Sequence, residues 1–308
     1  MKQQNIILVC LVMLLLSGGI MAQKKALRYN LTVGEKYGLK QEQVQDIEQS
    51  VSGMVHNIKN TFAGDVMVTI NSKTDDVYTS EIVFESMLFK MESAMANMTF
   101  DSKEETLDMT NPLNKTFSLI VGHPFQMKFD VYGNVIEVKG FANVTDKIVA
   151  AFSDNPQQGE LMKKALSSQF SDENMKNSLG LMLLVYPKEK LKKGANWSHS
   201  AKVVQPIPIH NSFSYKVESV GKDVVEISGT GLLSTPENAS NEENGMTQHF
   251  DLNGKLTMTA SIDTKTGWPS EINMNQAIEG HVAIESAQMA SPMEVPMKIK
   301  VDSKTIAL

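Results

Sequence analysis

Leu256-Thr257-Met258-Thr259-Ala260-Ser261-Ile262-Asp263 decides the fold, because apolar and polar residues alternate strictly along it. A strand with that pattern buries one face and wets the other. The same period of two returns in Val66-Val68-Ile70, Tyr78-Ile82-Phe84, Phe125-Met127-Phe129-Val131, Phe213-Tyr215-Val217 and Val295-Met297-Ile299-Val301. One apolar and one polar face per strand implies antiparallel sheets with a core on one side.

The strands fall into two similar sets. Val33-Gly34-Glu35-Lys36-Tyr37 opens the first and Lys193-Gly194-Ala195-Asn196-Trp197 the second, each a glycine with an aromatic three residues on. Met127 to Val135 matches Met258 to Pro269: a strand reaches an aspartate, turns at a glycine and returns as Ile136-Glu137-Val138 or Glu271-Ile272-Asn273. The pattern reads as a duplicated antiparallel β-meander forming curved sheets or half-barrels, a mainly β chain with a helical segment (α+β).

Between the sets, Val144, Ile148, Ala151 and Phe152 fall on one helical face, and Leu161, Met162, Ala165, Leu166 and Phe170 on another. Asp172 is placed to cap a third helix through Met175, Leu179, Met182 and Leu183, which Pro187 ends. The apolar run from Leu179 to Val185 is expected to be buried against a sheet or between two. The expected organisation is a signal peptide over 1–22, a first β unit over 23–141, a helical segment over 142–190 and a second β unit over 191–308. The two β units either share one core or form separate lobes.

Residues 1–22 have the layout of a secretory signal: Lys2, an apolar run from Ile6 to Leu16, and Ser17 to Ala22 before Gln23. The run is too short to span a bilayer, so cleavage near Ala22-Gln23 and a periplasmic or extracellular location are expected. Cys10 lies inside the run between Val9 and Leu11, not at its end after a small residue, which argues against a lipid anchor there. It is the only cysteine, so the mature chain would have no disulfide, thiolate metal site or cysteine nucleophile, and would be held by core burial alone.

Composition is that of a folded protein, 42% hydrophobic and 21% charged. The net charge of −6, or −7 once Lys2 is lost, gives no footprint for nucleic acid. Twenty methionines, including Met87, Met91, Met95 and Met98, form an excess that suits either a core or an adaptable binding surface.

The stretch from Leu39 to Ile58 permits a helix or a hairpin. Gly34-Glu35-Lys36-Tyr37, the glutamine-rich stretch that follows, Ser93 to Ser102 and the hairpin from Asp130 to Val138 together resemble an uncharacterised family of secreted Bacteroidota proteins. The Met-Ala-Gln at residues 21–23 is similar to the signal ends common in that phylum. The resemblance covers most of the mature chain, carries no known activity, and implies that Leu39 to Ile58 is strand. At fold level only, long curved strands with helices on one face are similar to the half-barrels of envelope lipoprotein carriers.

No H-E-x-x-H, G-x-S-x-G or G-x-x-x-x-G-K-[ST] occurs. An S-x-x-K from Ser219 to Lys222 sits in a strand-turn context. His56, His123, His199, His210, His249 and His281 lack metal-ligand spacing, and His123 and His249 read as turn or sheet-edge residues. Asp75-Asp76, Glu104-Glu105 and Glu242-Glu243 read as solvated loops, Asp251-Leu252-Asn253-Gly254 as a hairpin turn, and Ser234 to Gly245 as a surface loop. No catalytic, metal or cofactor residue is assigned. The functional expectation is an exported, non-catalytic envelope protein binding an apolar or lipid-like ligand on a concave sheet. The alternatives are an interaction module that pairs with another envelope protein, and a hydrolase whose site is assembled from distant residues.

Overall fold

The computed structural model describes residues 25–152, 157, 171–203, 207–243, 245–289 and 291–308; the signal-like segment and the second expected helix lie outside them. Thirteen antiparallel strands among the described residues form a single unclosed sheet. They are β1 (Lys36–Val51), β2 (Met54–Thr74), β3 (Val77–Ser93), β4 (Asn97–Asp101), β5 (Pro124–Asp130), β6 (Val135–Lys139), β7 (Asn196–Val203), β8 (Ile209–Val220), β9 (Val224–Ser234), β10 (Ser240–Glu243), β11 (Met246–Asp263), β12 (Pro269–Ser286) and β13 (Met293–Ala307). The order across the sheet is β6-β5-β3-β2-β1-β13-β12-β11-β9-β8-β7, with β4 added to β3 and β10 to β11.

Pairing of the first strand with the last joins the two halves, in register from Leu39 opposite Ala307 to Gln49 opposite Met297. Leu39 to Ile58 is therefore strand, turning at Ser52-Gly53, where both φ are positive. Each alternating stretch singled out above is strand, save Val131 just past β5, and its apolar residues turn to the core. One continuous core draws on both halves, from Val66, Ile82 and Phe129 to Val217, Ile227 and Ile262.

At one end the sheet is rolled tightly. Tyr29 donates its backbone N–H to Val131 O (2.7 Å), just past β5, and Asn30 donates to Thr266 O (2.7 Å), in the β11–β12 turn. β5 and β11 are six steps apart in the sheet, which on a flat sheet is about 29 Å at ~4.8 Å per strand. Adjacent residues of one chain bring the two carbonyls within about 10 Å, because neighbouring Cα atoms are ~3.8 Å apart. The segment Leu27 to Leu31 is thus a strap across the mouth of a rolled sheet.

Three helices lie among the described residues: α1 (Pro112–Phe117), α2 (Phe141–Ala151) and α3 (Asp172–Met182). α1 is absent from the sequence reading; Asn111 caps it through Leu113 N, and Pro112 stands at its first position. α3 packs against β6 and β7, the two edges of the sheet, and so bridges the gap between them. Its N-cap is Ser171, whose Oγ accepts from Asn174 N, and not Asp172 as expected; Asp172 instead accepts from Phe141 N (2.9 Å) and ties α3 to α2. α3 ends at Met182, before Pro187, because the next four residues leave it to cap the rolled end.

There Tyr29 Oη lies against both backbone atoms of Leu184, accepting from its N–H and donating to its C=O, and Tyr186 Oη donates to Gly267 O (2.7 Å). Trp197 Nε1 donates to Val185 O (2.8 Å). Tyr29 packs on Phe129, Tyr186 and Trp268 at ring separations of 5.2–6.0 Å. Two glycines make room for the strap: Gly133 (φ 92°), beside the Tyr29 ring and Leu184 O, and Gly267 (φ 68°), whose missing side chain would collide with Arg28 O.

Three expectations fail on the second half. Asp251 to Gly254 is the middle of β11, where Asp251 faces His281 and Gly254 faces Ile278, and not a turn. Glu242-Glu243 belongs to β10, so Ser234 to Gly245 is partly strand. His249 lies within β11, paired on both sides, and not at a sheet edge. In each case the local turn residues are overridden by β11 pairing with long neighbours.

Asp263 holds the turn opposite the strap: its Oδ1 accepts from Lys265 N (3.0 Å), Thr266 N and Thr266 Oγ1 (2.7 Å each). Burial pushes this carboxyl up, but those hydrogen bonds outweigh it and hold it below the usual 3.8. The folded form therefore resists protonation, so the stability it adds is present above 3.8 and lost as pH falls through the lower folded value. Urea midpoints of the protein and of Asp263→Asn should differ near pH 6 and converge in acid. Tyr29→Ala should cost about 3–5 kcal/mol in the same assay, with Lys90→Ala as a near-neutral reference.

Candidate functional site

Residues directly opposite in antiparallel strands share a face, so the register alone sorts the six long central strands into two surfaces. The outer face carries Lys40, Glu42, Asp46 and Glu48 on β1, Lys59 and Asp65 on β2, Glu271 and Glu279 on β12, and Lys298, Lys300, Asp302 and Lys304 on β13. Its ion pairs, such as Lys298–Glu48 (3.1 Å) and Lys40–Glu42 (2.9 Å), are exposed and contribute little.

From the Gln41 rung outward the core face of β1, β2, β3, β11, β12 and β13 carries no Lys, Arg, Asp or Glu; at the strapped end Lys73, past a bulge in β2, stands opposite Tyr78 with its Nζ over the ring (4.7 Å). At that end the face is filled by the core. Beyond Leu39 it continues as a trough whose cross-strand rungs can be read directly. One rung runs Phe89, Phe62, Gln43, Ser303, Met274 and Met258. The next runs Met91, Asn60, Gln45, Val301, Gln276 and Leu256, and the one after crosses four isoleucines, Ile58, Ile47, Ile299 and Ile278.

Two apolar walls thus flank a neutral polar floor. One wall is Met87, Phe89, Met91 and Phe62, extended on β4 by Met98 and Phe100; the other is Met274, Met258, Leu256 and Ile278. Along the floor run Gln41, Gln43 and Gln45, with Thr305 and Ser303 beside them on β13. The trough is open on the β2–β4 side, where Phe62 and Met98 are each 40% exposed and the floor glutamines are part-exposed; on the other side Leu256 and Met258 are buried in the core and Ile278 packs against a second cluster of Phe250, Leu252 and Val282. From Gln41 to Gln49 it is about 27 Å long at ~3.4 Å per residue.

Of the methionines singled out from the sequence, Met87, Met91 and Met98 line this face, whereas Met95 is 82% exposed in the β3–β4 turn. The glutamines were legible as a glutamine-rich stretch, but not their role. Their signal is the spacing Gln41-Gln43-Gln45, which places them on one face, with Gln49 further along it.

The residues weighed for chemistry do not converge. Ser219 is near the end of β8 and Lys222 in the following turn, where its backbone O accepts from Thr264 Oγ1 (2.8 Å). On the outer face His249 meets Glu285 (2.9 Å), and His281 lies near Glu294 (3.7 Å) and Asp251 (4.0 Å), all exposed to solvent. His199 is on the core face of β7, stacked with Phe213, where burial lowers its pKa. Among the described residues, no group of three His, Cys, Asp or Glu side chains could hold a metal ion, and no helix is long and apolar enough to cross a membrane. A shallow depression of mixed lining lies elsewhere, among Asn71, Glu81, Pro124, Phe125, Gln126 and Lys139.

The architecture defines a class: a single rolled antiparallel sheet with a charged outside and an uncharged inside. The chain belongs to a family of unknown function, DUF6263, whose model matches residues 75–269. Among solved structures it is similar to one described as lipid–protein interactions in lipovitellin, with 10% identity and a TM-score of 0.49, covering 90% of this chain and 25% of that one. It is also similar to OccK5 (OpdH) of Pseudomonas aeruginosa, with 6% identity, a TM-score of 0.26, and 90% and 99% of the two chains covered. The COG4313 outer membrane channel of Pseudomonas putida F1 matches with 8% identity, a TM-score of 0.24, and coverage of 89% and 97%. This chain spans about a quarter of the lipovitellin chain. No curated protein matches it.

If the floor is wetted and not packed shut, Gln43→Leu should change stability by less than about 1 kcal/mol, whereas Leu39→Ala, fully buried at the strapped end, should cost about 2–5 kcal/mol. Chemical denaturation of the two variants checks this contrast.

Proposed function

We propose that the protein is an exported, non-catalytic envelope protein that holds an apolar or lipid-like ligand on the core face of its sheet. One observation carries the reading: a face about 27 Å long, at ~3.4 Å per residue, stays free of formal charge while the opposite face of the same strands carries lysines and carboxylates. Solubility and edge protection require charge on one face only; a continuous neutral trough with an open aromatic and methionine wall at Phe62, Met91 and Met98 is suited to apolar material. Covering such walls contributes about 25 cal/mol per Å² of apolar surface removed from water. Export is supported by the signal-like residues 1–22 and the absence of cysteine after Cys10. Duplication of an ancestral meander is supported by the consecutive order of strands on each side of the β1–β13 pair.

A second reading, pairing with another envelope protein, has one specific observation in its favour. The β1–β2 tip exposes Met54 (63%) and Val55 (60%) side by side, beyond the end of the trough.

The test is uptake of the uncharged dye Nile red by the full chain. Ile47→Glu, which places a charge in the isoleucine rung, should weaken uptake at least about tenfold, since an unpaired charge on an apolar face is strongly disfavoured. Glu48→Gln, one residue away on the outer face, should leave it unchanged. Equal uptake by both variants, or none by the unaltered protein, would remove the basis for a ligand in the trough.

A further inference from the structure

The trough is not uniformly apolar, and what lies on its floor narrows the ligand. Resting on the ligand-binding reading above, we propose that it takes a lipid whose polar part is uncharged and donates hydrogen bonds, such as a hydroxyl- or amide-bearing head, and that it discriminates against anionic lipids with the same acyl chain.

Three observations converge on this. First, the polar groups of the floor are amides and hydroxyls: Gln41, Gln43, Gln45, Asn60, Gln276 and Ser303. Each amide offers both donors and an acceptor, so the strip matches a neutral head that does the same. Second, from the Gln41 rung outward no cation on this face of the six central strands can balance a carboxylate or phosphate. Along the trough the lysines of these strands, Lys40, Lys59, Lys298, Lys300 and Lys304 among them, have the opposite parity and point away; Lys73 shares the core face only at the strapped end, over the Tyr78 ring. Transfer of an anionic head from water onto this strip would lose hydration with no compensating ion pair.

Third, one floor group has a defined want. Asn60 Nδ2 donates to Gln45 Oε1 (3.0 Å), while Asn60 Oδ1 is buried with no hydrogen-bond partner. A buried carbonyl oxygen without a donor is costly, and a ligand hydroxyl or N–H would relieve it; an ionised carboxylate or phosphate dianion has no proton to give. The exposed wall of Phe62 and Met91, with the part-buried Met274 across the floor, would carry the acyl chain along the strand direction.

The experiment is displacement of Nile red from the full chain at neutral pH by two competitors with one acyl chain, 1-oleoylglycerol and oleate, each below its micelle concentration. The glycerol ester should displace dye at a concentration at least about tenfold lower than oleate. In Asn60→Leu, which removes the unpaired oxygen but keeps the wall apolar, that ratio should fall below about threefold while Nile red uptake is retained. In Gln45→Lys it should move towards oleate. Equal competition, or tighter binding of oleate, by the unaltered protein would overturn the head-group assignment alone. Failure to take up Nile red at all would overturn the ligand-binding reading on which it rests.

Discussion

Two consecutive backbone hydrogen bonds, Tyr29 N–H to Val131 O and Asn30 N–H to Thr266 O, set the shape on which everything else depends. A broad antiparallel sheet could lie open, with its apolar face in water. The strap draws the β5 end and the β11–β12 turn together across the five strands between β5 and β11, and α3 spans the gap between edge strands β6 and β7. The result is a core shared by both halves at one end and a continuation of the same face at the other that is filled towards β11 and open towards β2 and β4. Gly133 and Gly267 are glycine because the strap passes where a Cβ would be.

The same alternation that buries the core also builds the trough. Along β1 the odd positions read Tyr37, Leu39, Gln41, Gln43, Gln45, Ile47, Gln49 and Val51, and the even ones from Lys40 to Glu48 are almost all charged. Where the odd residues are apolar and meet the strap, the sheet is closed; where they become amides, packing gives way to a surface that is neutral but not dry. The sheet's edges are managed separately, by α3 between β6 and β7 and by short β4 and β10 beside longer strands.

Much of this was legible in the residues. Strict alternation in Leu256 to Ile262 and Phe125 to Val131 placed both strands and their buried faces, and Val144 with Ile148 placed α2. What escaped was long-range. Asp251-Leu252-Asn253-Gly254 has turn chemistry, yet β12 on one side and the end of β9 at Asn253 and Gly254 on the other hold it extended. Ser171 and Asp172 both look like caps, and only the contact with Phe141 N decides between them. The pairing of β1 with β13 leaves no local mark, because register between strands some 250 residues apart is written only in two compatible alternations. The trough was foreshadowed by the methionines, but its glutamine floor became a site only once β13 brought Ser303 and Thr305 alongside.

The most direct measurement of the central claim is where an acyl chain lies on the folded protein. Photolabelling the full chain with a diazirine-bearing monoacylglycerol, followed by peptide mapping, should mark core-face residues of the open half, chiefly Phe62, Phe89, Met91, Gln45 and Met274. Labels on outer-face residues such as Lys59, Lys90 or Lys300, or confined to Met54 and Val55 at the hairpin tip, would contradict it.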